Sequence, residues 1–327
     1  MKTSNLPIVR FVASKLKNRN AYQFFFLNLV VLTFISCKTI EVPEKWVFKE
    51  TKYDYDKVVS DLNKVNYNPS KKDSVLKFYN TIINTNEQKI ATIENVSITR
   101  KFVTQDSLNL EYFVFEPQQS KKVGLFFIGN TSTIPNFRNE LITLAKQTNS
   151  KIYVPNYRGY GKTNGTPSFK TQFNDNASFL SMINKTEEKV DFVIGYSLGS
   201  AFATRLATEN NISNLFLLAP FSNANAILAH QKKVFTKGPK IVFRPFIQLK
   251  PEAHLMQISN TEEIKKFKGN LVILHGTKDE TLPFTMGVNL FENATTYSKK
   301  IVPLPNGNHS ASFKAENWNI LINEIRS

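Results

Sequence analysis

The sequence predicts an α/β fold with a mostly parallel central sheet flanked by helices. Strand-length apolar segments alternate with helical segments after residue 122, and two strands at residues 96–104 and 108–115 precede them as a hairpin. Strands that are apolar throughout are buried on both faces, which is typical of parallel strands covered by helices. The alternation fails between Phe221 and Phe267, which we interpret as a small helical cap at about residues 221–267.

The remaining elements follow in chain order. After the hairpin, the predicted strands are residues 122–128, 150–155, 190–195, 212–219, 271–275 and 299–304. The predicted helices are residues 135–147, 168–183, 198–209, 283–292 and 312–325. Residues 37–95 are polar and predict a tether and two helices. We therefore divide the chain into a signal segment (1–36), an N-terminal segment (37–95) and a main domain (96–327).

The composition excludes several classes of protein. With 41% hydrophobic and 21% charged residues, the 327-residue chain is globular rather than disordered or fibrous. Its single cysteine excludes an internal disulfide framework, and with four histidines a zinc finger is not expected. The net charge of +16 permits an anionic partner without identifying one, and we predict no nucleic-acid partner.

The N-terminal segment has the features of an export signal. Residues 1–36 contain five basic residues and no acid, and the apolar run 24–36 is too short to span a bilayer. The run ends in Phe-Ile-Ser-Cys at residues 34–37, which resembles the lipobox of bacterial lipoproteins. The resemblance implies that Cys37 is lipidated and anchors an exported protein to a membrane of the bacterial cell envelope. An uncleaved anchor or a chance cysteine is the alternative.

A candidate nucleophile lies between a strand and a helix. Residues 190–194 are apolar and lead into Gly195-Tyr196-Ser197-Leu198-Gly199, after which small residues begin a helix. In this Gly-x-Ser-x-Gly turn, the glycines allow the strand and the helix to approach each other, and the serine hydroxyl is held clear of the backbone. The pattern predicts that Ser197 is a catalytic nucleophile, against the alternative of an ordinary glycine-rich turn.

A second motif points to a family. Residues 156–168, Asn-Tyr-Arg-Gly-Tyr-Gly-Lys-Thr-Asn-Gly-Thr-Pro-Ser, resemble the D-Y-R-G-Y-G-x-S-x-G-x-P-S signature of α/β-hydrolases related to the depalmitoylating and Bem-type serine hydrolases. The resemblance covers about residues 96–327. Asn156 replaces an aspartate of that signature, and Asp175 matches an acid often found in the next helix.

The resemblance also implies an acid and a base, in the chain order serine, acid, histidine. Asp279 follows the strand at residues 271–275 within a His-Gly-x-x-Asp segment, and Glu280 is the alternative acid. His309 follows the last strand after a glycine-containing loop and is the expected base. We expect His275, which precedes the acid, to be a structural histidine at a strand end.

The same resemblance implies an oxyanion hole made by two backbone N–H groups. One belongs to Leu198, directly after the nucleophile, and the other to Asn130, in the loop after the strand at residues 122–128. Related proteins carry a histidine where this chain has Ile128. The sequence leaves open how this loop is held rigid.

These residues predict a serine hydrolase that cleaves ester or thioester bonds of a small or lipid-like acyl substrate through an acyl-enzyme. No metal or organic cofactor is expected. A serine peptidase of the same fold and a non-catalytic surface lipoprotein are the alternatives. Residues 221–250 contain no acid and several lysines, which predicts either a packed cap with a solvated basic face or a lid that meets anionic head groups.

Overall fold

The computed structural model describes residues 38–64, 69–85, 88–186 and 189–327. The predicted signal segment and the predicted lipidation site, Cys37, lie outside the described residues. Over the described ranges, no helix is long and apolar enough to cross a bilayer.

Eleven strands are found in the part of the chain that the structure describes. They are β1 (Lys38–Val42), β2 (Lys89–Ile93), β3 (Val96–Gln105), β4 (Leu108–Pro117), β5 (Lys122–Phe127), β6 (Ser150–Pro155), β7 (Phe192–Tyr196), β8 (Asn214–Leu218), β9 (Ile247–Pro251), β10 (Asn270–Gly276) and β11 (Lys299–Leu304). Nine of them form one sheet in the order β11-β10-β8-β7-β5-β6-β4-β3-β2. Strands β5 to β8, β10 and β11 pair in parallel, whereas β2, β3 and β4 pair antiparallel.

Helices follow most of the parallel strands. They are α1 (Tyr55–Lys64), α2 (Pro69–Asn84), α3 (Arg138–Thr148), α4 (Phe169–Asn184), α5 (Gly199–Glu209), α6 (Ala224–Phe235), α7 (Asn260–Ile264), α8 (Phe284–Asn293) and α9 (Ala315–Arg326). Every residue of β7 is buried, as are nearly all of β8 and β10, because helices cover both faces of the sheet. The predicted α/β fold with a mostly parallel sheet is confirmed.

The structure differs from the predicted boundaries at two places. The sheet begins at β2 rather than at residue 96; β2 is an edge strand whose residues are only partly buried, so its sequence lacks the apolar signal of an inner strand. The segment at 221–267 is only partly α-helical. Besides α6 and α7, it contains 3-10 helices at Gly238–Phe246 and Ala253–Gln257 and strand β9, because prolines interrupt a continuous helix.

The chain forms two compact units. One contains residues 42–230 and 251–327 and includes the nine-stranded sheet. The other contains residues 231–250 and, in its described part, residues 38–41. In this second unit, β1 and β9 form a two-stranded sheet.

Candidate active site

The turn between β7 and α5 holds the predicted nucleophile in a strained conformation. Ser197 has a φ of 52°, in the left-handed region that residues with a side chain rarely adopt. Its N–H donates to the carbonyl oxygen of Leu218 at 2.9 Å, which ties the turn to the end of β8. This hydrogen bond helps to offset the cost of the backbone conformation, and it positions the hydroxyl at the carboxyl edge of the sheet.

Two glycines allow this turn to be tight. A Cβ atom on Gly195 would lie 2.6 Å from the Cβ of Ala203 in the following helix. A Cβ atom on Gly199 would overlap the carbonyl oxygen of Phe127 at the end of β5. The predicted role of these glycines, close approach of the strand and helix, is thus what the packing requires at both positions.

The three predicted catalytic side chains, Ser197, His309 and Asp279, are joined by hydrogen bonds, and we call them the Ser197 row. Nε2 of His309 is 2.9 Å from Oγ of Ser197, and Nδ1 of His309 is 2.7 Å from Oδ2 of Asp279. Asp279 follows β10 and His309 follows β11, so all three side chains stand at the carboxyl ends of parallel strands. The Asp279 side chain is fully buried, whereas 21% of the His309 side chain is exposed.

The carboxyl group of Asp279 is held on both oxygens. Oδ1 accepts the N–H groups of Thr281 at 2.8 Å and Leu282 at 2.9 Å, while Oδ2 faces His309. Burial by itself would raise the pKa of this carboxyl, but the contacts with His275 and His309 and the N–H of Leu282 outweigh it and lower the pKa well below its ordinary value. Asp279 is therefore ionised at neutral pH and oriented towards the imidazole.

A second histidine contacts the same carboxylate. Nε2 of His275, which is completely buried at the end of β10, lies 3.2 Å from Oδ2 of Asp279 and 2.8 Å from the carbonyl oxygen of Leu282. Both neighbours are acceptors, so Nε2 carries a hydrogen, and among the described residues Nδ1 has no hydrogen-bond partner. His275 lies at a strand end, as expected, but it also contacts Asp279. The sequence did not lead us to predict this contact, although the two residues are only four positions apart.

The loop after β5 is held by a side chain of its own. Oδ1 of Asn130 accepts the N–H of Lys49 at 2.9 Å and the hydroxyl of Tyr160 at 2.7 Å, and Nδ2 donates to the carbonyl oxygen of Val47 at 2.6 Å. The hydroxyl of Tyr157 donates to the carbonyl oxygen of Ile128 at 2.5 Å. These bonds show how the loop is held without the histidine that Ile128 replaces.

The loop also lies close to the nucleophile. A Cβ atom on Gly129 would be 3.4 Å from the Cβ of Ser197, so the backbone before Asn130 passes directly beside the serine. Leu198 is the N-cap residue of α5, whose first N–H groups point out of the helix at its positive end.

Comparison with known proteins agrees with this architecture. No family model matches the sequence. The chain is 26% identical over 183 residues to alpha/beta hydrolase domain-containing protein 17B of Xenopus tropicalis, which covers 55% of this chain and 58% of the relative. It is 27% identical over 217 residues to protein bem46 of Schizosaccharomyces pombe, covering 63% and 69%. The esterase Pf2001 of Pyrococcus furiosus superposes with a TM-score of 0.55 at 18% identity, covering 70% and 88%.

The chain has the α/β-hydrolase fold. Its sequence similarity is to proteins of the α/β-hydrolase superfamily, and it spans less than two thirds of the length of the 17B relative.

The loop at residues 156–168, which resembles the family signature, is tied together by buried polar contacts. The guanidinium of Arg158 donates to both oxygens of Asp175, at 2.8 and 2.6 Å. Nδ2 of Asn156 donates to Oε2 of Glu111 at 2.7 Å. A carboxylate at position 156 would face the carboxyl group of Glu111 instead, which gives a physical reason for asparagine where the signature has aspartate.

The other polar candidates lie outside the Ser197 row. Glu280, the alternative acid, is exposed, and its carbonyl oxygen accepts from Nε2 of His230 at 2.7 Å. Among the described residues, the side chains close enough together to hold a metal ion are Glu44, Glu252 and His254, and Nε2 of His254 lies 3.0 Å from Oε2 of Glu44. This group is half-buried to exposed and shares no residue with the row.

Proposed function

We propose that this protein is a serine hydrolase that cleaves ester or thioester bonds through an acyl-enzyme intermediate. The observation that carries the proposal is the row of hydrogen bonds from Asp279 through His309 to the strained Ser197. Such a row suits a hydroxyl that must lose its proton during attack, since the base contacts the nucleophile and the acid orients the base.

The proposed reaction has two steps. Oγ of Ser197 attacks the substrate carbonyl and its proton passes to Nε2 of His309, while the carbonyl π electrons move to the oxygen. When the tetrahedral intermediate collapses, the bond to the leaving alcohol or thiol breaks and the leaving group takes the proton from Nε2. Water then attacks the acyl-enzyme with His309 as base, releasing the carboxylic acid and restoring the hydroxyl of Ser197.

The charge on the intermediate requires fixed donors. We assign this role to the backbone N–H groups of Leu198 and Asn130. Two observations support the assignment: Leu198 begins the turn into α5, and the loop at Gly129 passes beside Ser197 while the Asn130 side chain holds it in place. Donors on a rigid backbone need no reorganisation when the negative charge develops.

Labelling with a fluorophosphonate tests the proposed nucleophile. We expect the wild-type protein to form one covalent adduct at Ser197, detected by intact mass and peptide mapping, and the Ser197→Ala variant to form none. Ser310→Ala is the matched control because Ser310 is exposed and adjacent to His309, and it should label like the wild type. Absence of an adduct on the wild type, or equal labelling of Ser197→Ala, contradicts the proposal.

A panel of substrates tests which leaving groups the protein accepts. We expect turnover of p-nitrophenyl esters or of an acyl-CoA thioester that exceeds turnover of a peptide amide, because esters and thioesters expel better leaving groups than amides. Faster cleavage of the peptide would favour the peptidase alternative.

We also propose that the protein acts at a membrane of the bacterial cell envelope, attached through Cys37. The lipobox-like sequence at residues 34–37 and the basic residues before it support this assignment. When the full chain is expressed in a bacterium, we expect its mass to show loss of residues 1–36 and addition of acyl chains, and Cys37→Ser to remain unprocessed. An unmodified Cys37 in the wild type would be contrary to this expectation.

A further inference from the structure

An exposed apolar surface lies in the second unit, at the end of α6 and in the 3-10 helix that follows. About 60% of Phe235 and 62% of Val242 are accessible to solvent, and three further apolar side chains are also exposed. We call this the basic apolar surface; its apolar members are Val234, Phe235, Ile241, Val242 and Phe243. Five exposed large apolar residues within ten positions are unusual on a protein surface that contacts only water.

The charge of the same segment is entirely positive. Residues 221–250 include no aspartate or glutamate. The lysines interleaved with the apolar residues are Lys232, Lys233, Lys237 and Lys240. Within the described residues, none of these four lysines lies in a salt bridge. Their charge is therefore available to an anionic partner.

The surface is built by specific contacts. The buried hydroxyl of Thr236 donates to the carbonyl oxygen of Lys232 at 2.7 Å and accepts Nε of Arg244 at 2.8 Å. These bonds join the end of α6 to the following 3-10 helix. The exposed side chains of Ile241, Val242 and Phe243 lie in the segment that these bonds close.

The N-terminal strand belongs to this unit as well. Strand β1 pairs with β9, which directly follows the 3-10 helix, and Nζ of Lys250 lies 3.2 Å from Oε1 of Glu41. Cys37 immediately precedes β1 in the sequence. One residue of chain spans about 3.5 Å, so a lipid on Cys37 would tether this unit close to the membrane.

We propose that the basic apolar surface binds an anionic phospholipid bilayer. The exposed aromatic and aliphatic side chains enter the interface between head groups and acyl chains, and the lysines contact lipid phosphates. Valine and isoleucine do not stack on bases, so the composition favours a lipid surface over a nucleic acid. The inference does not depend on the proposed hydrolase activity, because no residue of this surface belongs to the Ser197 row.

A local fluorescent reporter tests the proposal in the full chain. Because Cys37 is the only cysteine, the double variant Cys37→Ser/Phe243→Cys can be labelled at one position with an environment-sensitive NBD dye. We expect the emission to rise several-fold with phosphatidylglycerol vesicles and little with phosphatidylcholine vesicles. The matched control, Cys37→Ser/Tyr297→Cys, carries the dye at a fully exposed residue of the other unit and should not respond.

The position of the dye separates this surface from the N-terminal segment, which is basic and apolar too. Equal emission changes at positions 243 and 297, or an equal response to neutral and anionic vesicles, would overturn the proposal. An increase in NBD emission with protein concentration alone, in the absence of vesicles, would also overturn the proposal, because it would indicate self-association.

Charge reversal supplies the second test. In the Phe243→Cys background, adding Lys232→Glu/Lys233→Glu should abolish most of the response to phosphatidylglycerol. Adding Lys265→Glu/Lys266→Glu, which makes the same change of charge directly after α7, should leave it intact. Far-ultraviolet circular dichroism checks that each variant is folded. An unchanged response after reversal at 232 and 233 would count against the assignment.

Discussion

An Asp279→Asn variant is expected to keep its fold and to hydrolyse a p-nitrophenyl ester with a kcat about 10⁴-fold below that of the wild type. The reason lies in the hydrogen bonds of Asp279. The N–H groups of Thr281 and Leu282 both donate to Oδ1, so the amide oxygen of an asparagine takes that position. Its NH₂ group then takes the position of Oδ2, facing His309.

This orientation gives His309 the wrong tautomer. The asparagine NH₂ donates to Nδ1 of His309, so the hydrogen of the neutral imidazole moves to Nε2. Nε2 then faces Oγ of Ser197 as a donor and cannot accept its proton. The same NH₂ also faces Nε2 of His275, where two donors now meet.

The matched control is Glu280→Gln, the same kind of change at the adjacent acid. Because Glu280 is exposed, we expect its kcat to remain near that of the wild type. Steady-state kinetics of both variants, with thermal unfolding as a check of folding, gives the comparison. A tenfold or smaller loss in Asp279→Asn, or a comparable loss in Glu280→Gln, would show that the acid has been assigned wrongly.

Replacing Arg100 by methionine is expected to lower the free energy of unfolding by about 3–5 kcal/mol at pH 7. Arg100 on β3 is buried, and its Nε lies 3.8 Å from Oε1 of Glu111 on β4, which is also buried. Its guanidinium also donates to the carbonyl oxygens of Ile82 and Thr85 at the end of α2. Without the arginine, each of these carbonyl oxygens loses a donor, and the buried carboxyl group of Glu111 loses its neighbouring positive charge.

The destabilisation should depend on pH. Burial raises the pKa of Glu111, and hydrogen bonds from Lys162 N–H and Tyr53 together with the charge of Arg100 offset only part of that increase. Removing Arg100 raises the pKa further. A protein becomes more stable as the pH falls when one of its carboxyl groups binds a proton more tightly in the folded state than in the unfolded state. The difference in the free energy of unfolding between the wild type and Arg100→Met should therefore become smaller as the pH falls from 7 towards 5.

Urea unfolding of Arg100→Met and of Lys101→Met measures this effect. Lys101 is the next residue on β3 but is exposed, so its replacement should change the free energy of unfolding by about 0.5 kcal/mol or less. Equal effects of the two substitutions would contradict the importance of the buried pair. A difference that stays constant with pH would instead assign the loss to the hydrogen bonds of Arg100 alone.

Much of the fold could be predicted because the signals are local. Strands of the sheet carry apolar or alternating patterns of strand length, and the predicted positions of β3 to β8, β10 and β11 agree with the structure within a few residues. Strand β2 was not predicted, because a half-exposed edge strand carries no clear apolar pattern. The segment predicted as a helical cap is largely helical, but its helices are short and strand β9 interrupts them.

The candidate site divides in the same way. Ser197, Asp279 and His309 were named from motifs and chain order, which need no coordinates. The contact of His275 with Asp279 was not anticipated, because a histidine at a strand end is compatible with many partners. The role of the Asn130 side chain was also missed, since its partners at Lys49 and Val47 lie more than 80 residues away.

By itself, the sequence determined the order and type of the elements and the chemical groups that follow each strand, since these depend on neighbouring residues. Only the tertiary structure decided the distances. Ser197 and His309 are 112 positions apart, yet their side chains lie within 2.9 Å because β7 and β11 end at the same edge of the sheet. The pairing order of the strands sets that proximity, and it depends on the whole packed core rather than on any local pattern.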